Sequence, residues 1–193
     1  MAASKPNEMK ALSVVVITFN EAHNIGRCLD SVQAVADDIL VVDSFSTDST
    51  VEIAREKGAR IIQHPFEGYH LQREFAVRKA GYDHVLALDA DEYLSEELAL
   101  AIKAVKANWQ YDGYKIQRLN KIGNTWIKHT SWYPDHKLRL FDRRRITIRS
   151  VRGHDVIEAH PGGTTGFIAA PLMHLTNYNL HDREFRVNQL STE

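Results

Sequence analysis

Two aspartates one residue apart, Asp89 and Asp91, have the clearest capacity for chemistry in this sequence. They form the segment DADE with Ala90 and Glu92, directly after the apolar run VLAL at 85–88. A buried strand that ends in two carboxylates places oxygen ligands at the carboxyl edge of a sheet, where open α/β folds bind ligands. A Mg²⁺ or Mn²⁺ ion there would leave its other positions to water and phosphate oxygens. The segment predicts a nucleotide-diphosphate site; the alternative is a strand end whose acids only cap the next helix.

Two upstream strand ends carry polar clusters of the same kind. The segment TFNE at 18–21 ends the apolar run that begins at Leu12, and DSFSTD at 43–48 follows ILVV at 39–42. Parallel strands share their carboxyl ends, so the three clusters should open onto one edge of the sheet. An Asp at the second strand could accept the imino hydrogen of a uracil ring. The sequence has neither the glycine pattern of a dinucleotide fold nor that of a P-loop.

The elements that must position these clusters alternate between strand and helix. Near-continuous apolar runs predict buried strands, and a stripe such as Ile25, Cys28, Leu29 and Val32 predicts a helix with one buried face. The predicted strands are 12–19, 39–43, 59–63 and 84–89, and the predicted helices begin near 25, near 50, at 69 and after Ser95. This order predicts an α/β fold with a twisted, mostly parallel central sheet.

The pattern changes after Trp109. Segments 114–119 and 137–141 alternate polar and apolar residues, which indicates half-exposed strands. Residues 180–193 resemble the opening of an amphipathic helix that ends without a stop signal, as expected of a truncated chain. We predict a flexible tail at 1–11 and one domain at 12–193, with a nucleotide-sugar-binding half at 12–108 and an acceptor-binding half at 109–193.

Composition sets broad limits on the class of protein. The 193 residues are 44% hydrophobic and 25% charged with a formal net charge of −1, as expected of one ordinary domain with no general attraction to nucleic acid or membranes. No run approaches transmembrane length, and residues 1–11 lack the apolar core of a secretory signal. The single cysteine, Cys28, is predicted to be a buried thiol, which makes a reducing cytoplasm the expected compartment.

The motifs together resemble glycosyltransferase family 2, whose enzymes have the GT-A fold. The matching segments are VVVITFNE at 14–21, ILVVDSFSTDSTVEIA at 39–54, QREFA at 72–76, LALDADE at 86–92 and WYPDHKLRLFDR at 132–143. The closest resemblance is to the bacterial branch of lipopolysaccharide-core β-1,4-glucosyltransferases. Two departures are Arg73-Glu74 in place of Lys-Asn, and His154-Asp155 in place of His-Glu.

This resemblance implies a donor pocket. The residues expected to line it are Thr18, Asn20, Glu21, Asp43, Ser44, Arg73, Asp89, Ala90 and Asp91. Asp89 would bind ribose, Asp91 would be the principal ligand of Mg²⁺ or Mn²⁺ with Asp89 and His174 as further ligands, and Arg73 would face the donor phosphates. A solvated helix charge is the alternative for Arg73. Ser46, Thr47 and Asp48 are expected to shape the loop.

The chemistry of such a site is sugar transfer with inversion. A divalent cation stabilises the leaving phosphate, and a base on the opposite face takes the proton of the acceptor hydroxyl. Asp155, which follows a glycine turn in the acceptor half, is the candidate base; the alternative is a surface turn aspartate. The expected donor is a UDP-sugar, with UDP-glucose first, and the expected acceptor is a cell-envelope glycan or lipid-linked glycan.

A basic cluster occupies 137–152. Its members are Lys137, Arg139, Arg143, Arg144, Arg145, Arg149 and Arg152. It is either a solvated face or a contact for an anionic glycolipid at the inner face of the cytoplasmic membrane. Nucleic acid is not expected as a partner, because no aromatic platform interleaves with these arginines.

Two other classes of function stay open. A haloacid-dehalogenase-type phosphohydrolase also uses an Asp-x-Asp motif, but there the motif follows the first strand, whereas here it follows the fourth. A non-catalytic domain that binds nucleotide sugars would differ from an enzyme by the absence of turnover.

Overall fold

The computed structural model describes residues 9–129, 133–151 and 154–176. Its first half contains β1 (Leu12–Thr18), α1 (Ile25–Val32), β2 (Asp38–Asp43), α2 (Thr50–Glu56), β3 (Arg60–Gln63), α3 (Tyr69–Lys79), β4 (His84–Asp89), β5 (Glu92–Leu94) and α4 (Glu96–Ala107). Its second half contains β6 (Gly113–Ile122), β7 (Thr125–Trp126), β8 (Asp135–Asp142), a 3₁₀ turn (Arg143–Arg145), β9 (Ile146–Val151), β10 (His154–Ala159) and β11 (Thr165–Thr176).

One sheet organises the domain, in the strand order β3-β2-β1-β4-β8-β6-β11-β5. The first four strands are parallel, as the strand-helix alternation predicts. The antiparallel strand β8 joins them to β6, which pairs in parallel with β11. The half-exposed strands predicted in the second half therefore extend the same sheet.

Both faces of the parallel half are covered. Every residue of β1 is buried, and its side chains alternate between two hydrophobic cores. Val14 and Val16 pack in the core that contains α1 and α4, whereas Val15 and Ile17 pack in the core that contains α3. A strand covered on both sides must be apolar throughout, which explains the uninterrupted run of β-branched residues.

Strand register brings the predicted clusters to the same level. Thr18 at the end of β1 pairs with Asp43 at the end of β2. On the other side of β1, Ile17 pairs with Asp89 at the end of β4. The carboxyl ends of the three strands therefore form one edge, as the sequence predicts.

The hairpin β9–β10 packs against α3 and carries Asp155. Asp155, a residue of the second half, therefore lies beside α3 of the first half.

No helix within the described ranges is long and apolar enough to cross a membrane. The predicted helix at 180–193 and most of the predicted tail at 1–11 lie outside the described residues.

Candidate active site

Two loops at the carboxyl edge have unusual backbone geometry. Among the described residues other than glycine, positive φ occurs only at Asn20 (φ 52°) and Phe45 (φ 62°). They lie two residues beyond the ends of β1 and β2. Such conformations persist where surrounding contacts fix them, and they cluster at ligand sites. Phe19 and Phe45 are also largely exposed at this edge.

Hydrogen bonds tie the two loops together. The backbone N–H of Asn20 donates to Ser46 Oγ at 2.8 Å, and Asn20 Oδ1 accepts from the N–H of Thr47 at 2.8 Å. The N–H of Glu21 donates to Thr50 Oγ1 at 2.8 Å. Ser46 and Thr47 shape the loop, as expected, and Asn20 is part of the same network.

Asp43 is fully buried beneath these loops. Its Oδ1 accepts from the Ser46 hydroxyl, and its Oδ2 accepts from the Ser46 N–H at 3.0 Å and from Gln63 Nε2 at 3.2 Å. Next to it on β1, Thr18 Oγ1 is buried and has no hydrogen-bond partner among the described residues. Ser44 Oγ, farther along the loop, accepts from Gln72 Nε2 at 3.0 Å.

Asp89 lies between two guanidinium groups. Arg73 Nη2 donates to Asp89 Oδ1 at 2.6 Å, and Arg139 Nη2 donates to Asp89 Oδ2 at 2.8 Å. Burial alone would raise the pKa of Asp89, but the charges of the two arginines outweigh it and hold that pKa far below its usual value. Both carboxylate oxygens therefore have cationic partners, which disfavours the predicted role of Asp89 as a metal ligand.

Arg73 is completely buried in α3, and this changes its expected role. Besides Asp89, its Nε donates to Asp155 Oδ2 at 2.8 Å and its Nη1 donates to the carbonyl of Leu88 at 2.9 Å. A guanidinium with no exposed surface and a partner at each nitrogen does not reach out to donor phosphates. Its geometry is that of a residue that fixes Asp89 and Asp155.

Asp155 stands where the two halves of the domain meet. Its side chain keeps 17% of its surface exposed, and one oxygen lies 2.8 Å from Arg73 Nε and 4.0 Å from Arg139 Nη1. Burial would raise the pKa of Asp155, but Arg73 and Arg139 outweigh it, so the pKa lies below its ordinary value. Asp155 is therefore a carboxylate at neutral pH and is partly accessible from solvent.

Glu92 is a site residue that the sequence analysis did not single out. Its side chain is fully buried, and its Oε1 accepts from Arg139 Nη2 at 2.8 Å and lies 3.3 Å from Arg118 Nη1. Its Oε2 accepts from the backbone N–H of Asp89 at 3.0 Å. The feature of the sequence that could have identified Glu92 is its place in the DADE segment. The corresponding feature for Arg139 is its place in the segment WYPDHKLRLFDR.

Asp91 and His174 form a second pair on the other side of Ala90. His174 Nε2 lies 3.3 Å from Asp91 Oδ2, and His174 Nδ1 lies 2.7 Å from Asn120 Oδ1. The backbone also joins them, because the N–H of Leu175 donates to the carbonyl of Asp91 at 2.9 Å. Within the described ranges no group of three or more His, Cys, Asp or Glu side chains is arranged to hold a metal. A carboxylate and an imidazole fit a cation that takes its remaining ligands from phosphate and water.

The basic cluster is mostly neutralised. Each described member lies within 4.0 Å of a carboxylate: Lys137 of Asp135, Arg139 of Asp89 and Glu92, Arg143 and Arg144 of Asp83, Arg145 of Asp112, and Arg149 of Glu158. Arg152 lies outside the described residues. Paired charges present a weak field to an anionic surface, so this geometry favours a solvated face over a lipid contact.

Cys28 is buried, as predicted. It lies on the side of α1 that faces the sheet, and its Sγ is 3.7 Å from the carbonyl oxygen of Asp89. Burial first, and then the nearby acids of the DADE segment, raise the pKa of the Cys28 thiol well above its usual value. A thiol in this environment is a packing group rather than a nucleophile.

Comparison with known proteins identifies a family. The model of a family described as "Glycosyl transferase family 2" matches residues 13–163. An uncharacterized glycosyltransferase of Rickettsia typhi is 43% identical over 141 residues, which are 73% of this chain and 46% of the relative. The lipopolysaccharide core biosynthesis glycosyltransferase LpsC of Rhizobium meliloti is 31% identical over 55% of this chain and 42% of its own length.

A solved structure shows the same fold. The crystal structure of S. aureus TarS 1-349 in complex with UDP-GlcNAc matches 88% of this chain and 59% of its own with a TM-score of 0.64 and 18% identity. The predicted α/β fold of GT-A type is thereby confirmed. The chain spans less than half the length of the curated Rickettsia relatives that it matches.

Proposed function

The chain belongs to glycosyl transferase family 2, and on that premise we propose that it transfers a hexose from a UDP-sugar to an acceptor hydroxyl with inversion. UDP-glucose is the first donor to test. The observation that carries the proposal is that one guanidinium, Arg73, bonds both Asp89 at the donor edge and Asp155 from the second half. The proposed nucleotide-binding edge and a partly accessible carboxylate thus share one guanidinium.

The proposed donor pocket is the edge formed by the ends of β1, β2 and β4. The two tied loops with their exposed Phe19 and Phe45 supply its walls, and Thr18 Oγ1, which has no hydrogen-bond partner within the described ranges, supplies a polar atom within it. Asp43 holds the loop after β2 and is the proposed partner of the uracil ring. Its burial implies that nucleotide binding shifts the loop at 44–48 enough to expose one carboxylate oxygen.

Asp155 is the proposed base. As the oxygen of the acceptor hydroxyl forms its bond to the anomeric carbon, the proton of that hydroxyl passes to Oδ1 of the Asp155 carboxylate. The bond between the anomeric carbon and the diphosphate breaks, and its electron pair leaves with the diphosphate. The hydrogen bond from Arg73 Nε to Oδ2 fixes the orientation of the carboxylate, so that Oδ1 is the oxygen proposed to take the proton.

Asp91 and His174 are the proposed protein ligands of Mg²⁺ or Mn²⁺. Such a cation would supply Lewis-acid stabilisation of the charge on the leaving diphosphate. We propose the tautomer in which His174 Nδ1 donates to Asn120 Oδ1 at 2.7 Å, so that Nε2, 3.3 Å from Asp91 Oδ2, is the nitrogen that would bind the cation. Asp89 is instead proposed to contact the ribose through lone pairs that the two arginines leave available.

The proposed acceptor is a cell-envelope glycan or a lipid-linked glycan. The name of the Rhizobium meliloti relative, a lipopolysaccharide core biosynthesis glycosyltransferase, supports this class. We propose that the acceptor is recognised through its sugar rather than through the basic cluster, because the described cations of that cluster are paired. Catalysis on the cytoplasmic side of the membrane is part of the same proposal, since nucleotide sugars are cytoplasmic substrates.

A donor screen tests the proposal. Unfolding temperatures are measured with UDP, UDP-glucose, UDP-GlcNAc, GDP-mannose and glucose 1-phosphate, each with and without Mn²⁺, and UDP release is then assayed with the best donor. A ligand at one hundred times its Kd stabilises the native state by about 2.7 kcal/mol. We expect a Mn²⁺-dependent rise with the UDP compounds, and no rise with any nucleotide would overturn the proposal. Binding without UDP release to any acceptor or to water would favour the non-catalytic alternative, and phosphate release would favour the phosphohydrolase.

A further inference from the structure

We infer that Arg139 is a positioning residue, held by a bulge in β8 and balanced by Glu92, that fixes Asp89 and Asp155 relative to each other. The inference rests on the proposed function, in which Asp89 contacts the donor and Asp155 takes the proton. It gives roles to two buried side chains that the transfer step itself does not use.

The first observation is an irregularity in strand pairing. Tyr114 of β6 pairs with Leu140 of β8, but the next residue, Lys115, pairs with Leu138. Arg139 is therefore the extra residue of a β-bulge. Bulges redirect side chains and are frequent beside active sites.

The bulge also coincides with the end of another pairing. Strands β4 and β8 pair from His84 and Asp142 to Leu86 and Leu140, and the ladder stops there. Beyond this point the Arg139 side chain, 5% exposed, reaches Asp89 at the end of β4, with Nη2 2.8 Å from Oδ2. The bulge thus places a cation at the junction between the parallel strands and the second half of the domain.

The second observation is the set of carboxylates around this guanidinium. Arg139 Nη2 donates to Asp89 Oδ2 and to Glu92 Oε1, both at 2.8 Å, and Nη1 lies 4.0 Å from Asp155 Oδ2. Asp89 and Asp155 also share Arg73. Arg73 and Arg139 thus link the three carboxylates of Asp89, Glu92 and Asp155. Because Asp89 and Asp155 share both arginines, a shift of one of them disturbs the contacts of the other.

The third observation is that this arrangement is poorly suited to stability alone. Arg139 Nε is buried without a hydrogen-bond partner in the described part of the chain, and a buried donor that is left unpaired destabilises the native state. Burying ions is itself costly, and well-packed apolar residues often replace buried ion pairs at no loss. A buried, imperfectly satisfied arginine at the donor edge is better explained by the placement of reacting groups.

Glu92 is the third carboxylate of this arrangement. Arg73 and Arg139 balance the charges of Asp89 and Asp155, and the added carboxylate of Glu92 also lies 3.3 Å from Arg118 Nη1. Glu92 accepts from Arg139 on one oxygen and from the Asp89 backbone N–H on the other. It therefore holds Arg139 through Nη2, the nitrogen that also donates to Asp89.

The test compares variants of Arg139 with a matched control. Arg139→Lys keeps the charge but loses the planar fork that reaches two acids at once. Arg60→Lys is the control, because Arg60 makes similar bonds of 2.7 and 3.0 Å to Asp38 at the opposite, amino-terminal edge of the sheet. For each protein the Kd of UDP, kcat with the donor found in the screen, and the unfolding temperature are measured.

A positioning role predicts losses in both binding and turnover. Since a misplacement of about 1 Å can cost about 10²-fold in rate, Arg139→Lys should lower kcat by about 10- to 100-fold and also weaken UDP, with the protein still folded. Arg60→Lys should change the unfolding temperature only. The further loss of kcat on adding Arg139→Lys to Asp155→Asn should be small, because the base it positions is already gone.

Two results distinguish a failure of the positioning role of Arg139 from a failure of the proposed function. If wild type turns over and folded Arg139→Lys matches it in kcat and UDP affinity, the positioning role is overturned and the proposed function stands. If wild type neither binds UDP nor turns over, both are overturned. Should Arg139→Lys fail to fold, Glu92→Gln, which keeps the shape of the side chain, must show the same joint loss; wild-type kcat and UDP affinity in that variant would reject the inference.

Discussion

Arg73 and Asp155 are 82 positions apart in the chain, and Arg73 Nε donates a 2.8 Å hydrogen bond to Asp155 Oδ2. The bond joins α3, in the first half of the domain, to the β9–β10 hairpin of the second half. Arg73 is fully buried while Asp155 keeps part of its surface exposed. The pair therefore presents an oriented carboxylate to solvent from a fixed support.

The proposed metal ligands, Asp91 and His174, give one prediction. Asp91→Asn should abolish transfer and remove the Mn²⁺-dependent part of UDP binding while the fold remains intact, because the amide oxygen is a weaker ligand than a carboxylate. His174→Gln should reduce Mn²⁺-dependent UDP affinity about 10- to 100-fold. Calorimetric titration of UDP with and without Mn²⁺ measures both effects.

The control for the metal prediction is Asp30→Asn, which breaks an exposed pair with Lys57. This variant should bind UDP with the same affinity and the same Mn²⁺ dependence as wild type. Wild-type Mn²⁺ dependence in Asp91→Asn would reject Asp91 as a ligand, and the same result in His174→Gln would leave Asp91 with other partners.

The proposed contact of Asp43 with the uracil ring gives a second prediction. Asp43→Asn replaces a fully buried acceptor of three hydrogen bonds, so it should lower the free energy of unfolding by about 1–3 kcal/mol. It should also weaken UDP more than glucose 1-phosphate, because only UDP carries the uracil ring. Denaturant unfolding and titration of the two ligands measure the effects. Equal weakening of both ligands would contradict a role in base recognition.

Acid sensitivity of the fold gives a third prediction. Burial would raise the pKa of Asp38, but hydrogen bonds from Arg60, the Gly81 N–H and Ser13 outweigh it and lower that pKa. A lowered folded-state pKa gives stability that is present above the unfolded value of about 3.9 and is lost as pH falls through the folded value.

Asp38→Asn should therefore be less stable than wild type at pH 7, and the difference should shrink below about pH 4. Denaturant unfolding at several pH values measures it. Glu56→Gln changes an exposed carboxylate on α2 and should follow the wild-type curve. A difference between Asp38→Asn and wild type that stays constant down to pH 3 would contradict this account.

The paired cations of the basic cluster give a fourth prediction. At physiological salt, the protein should bind phosphatidylserine vesicles about as weakly as neutral vesicles, because the described cations already face carboxylates. Co-sedimentation measures binding. Strong, salt-sensitive retention on anionic vesicles alone would show that the cluster binds lipid.

Much of the fold was predictable because its signals are local. The buried run that becomes β1 and the stripe that becomes α1 give the element type directly, and Ser95 caps α4 as its position suggests, accepting from the Leu98 N–H at 3.1 Å. The strand β5 was not predicted, because three residues are too few to show a period. The convergence of the three acidic strand ends followed from parallel pairing alone.

The ion network was not predictable from spacing. Arg73 was expected at the donor phosphates because it stands in the place of a family lysine and a guanidinium suits a phosphate contact. The sequence does not show that the β9–β10 hairpin packs on α3, the helix that carries Arg73. Arg139 continues the alternation of polar and apolar residues at 137–140, so nothing in the sequence marks it as the extra residue of a bulge. Its pairing with Glu92 joins residues that no local pattern connects.

The most direct test of the central claim is a comparison of Asp155→Asn with wild type and with Glu158→Gln. Asn keeps the shape and removes the basicity, so turnover should fall by about 10²- to 10⁴-fold while the Kd of UDP hardly changes. Glu158 lies on the same strand in an exposed pair with Arg149, and its variant should turn over normally. Normal turnover in Asp155→Asn, with loss of activity in Glu158→Gln or Asp135→Asn, would contradict the assignment of Asp155 as the base.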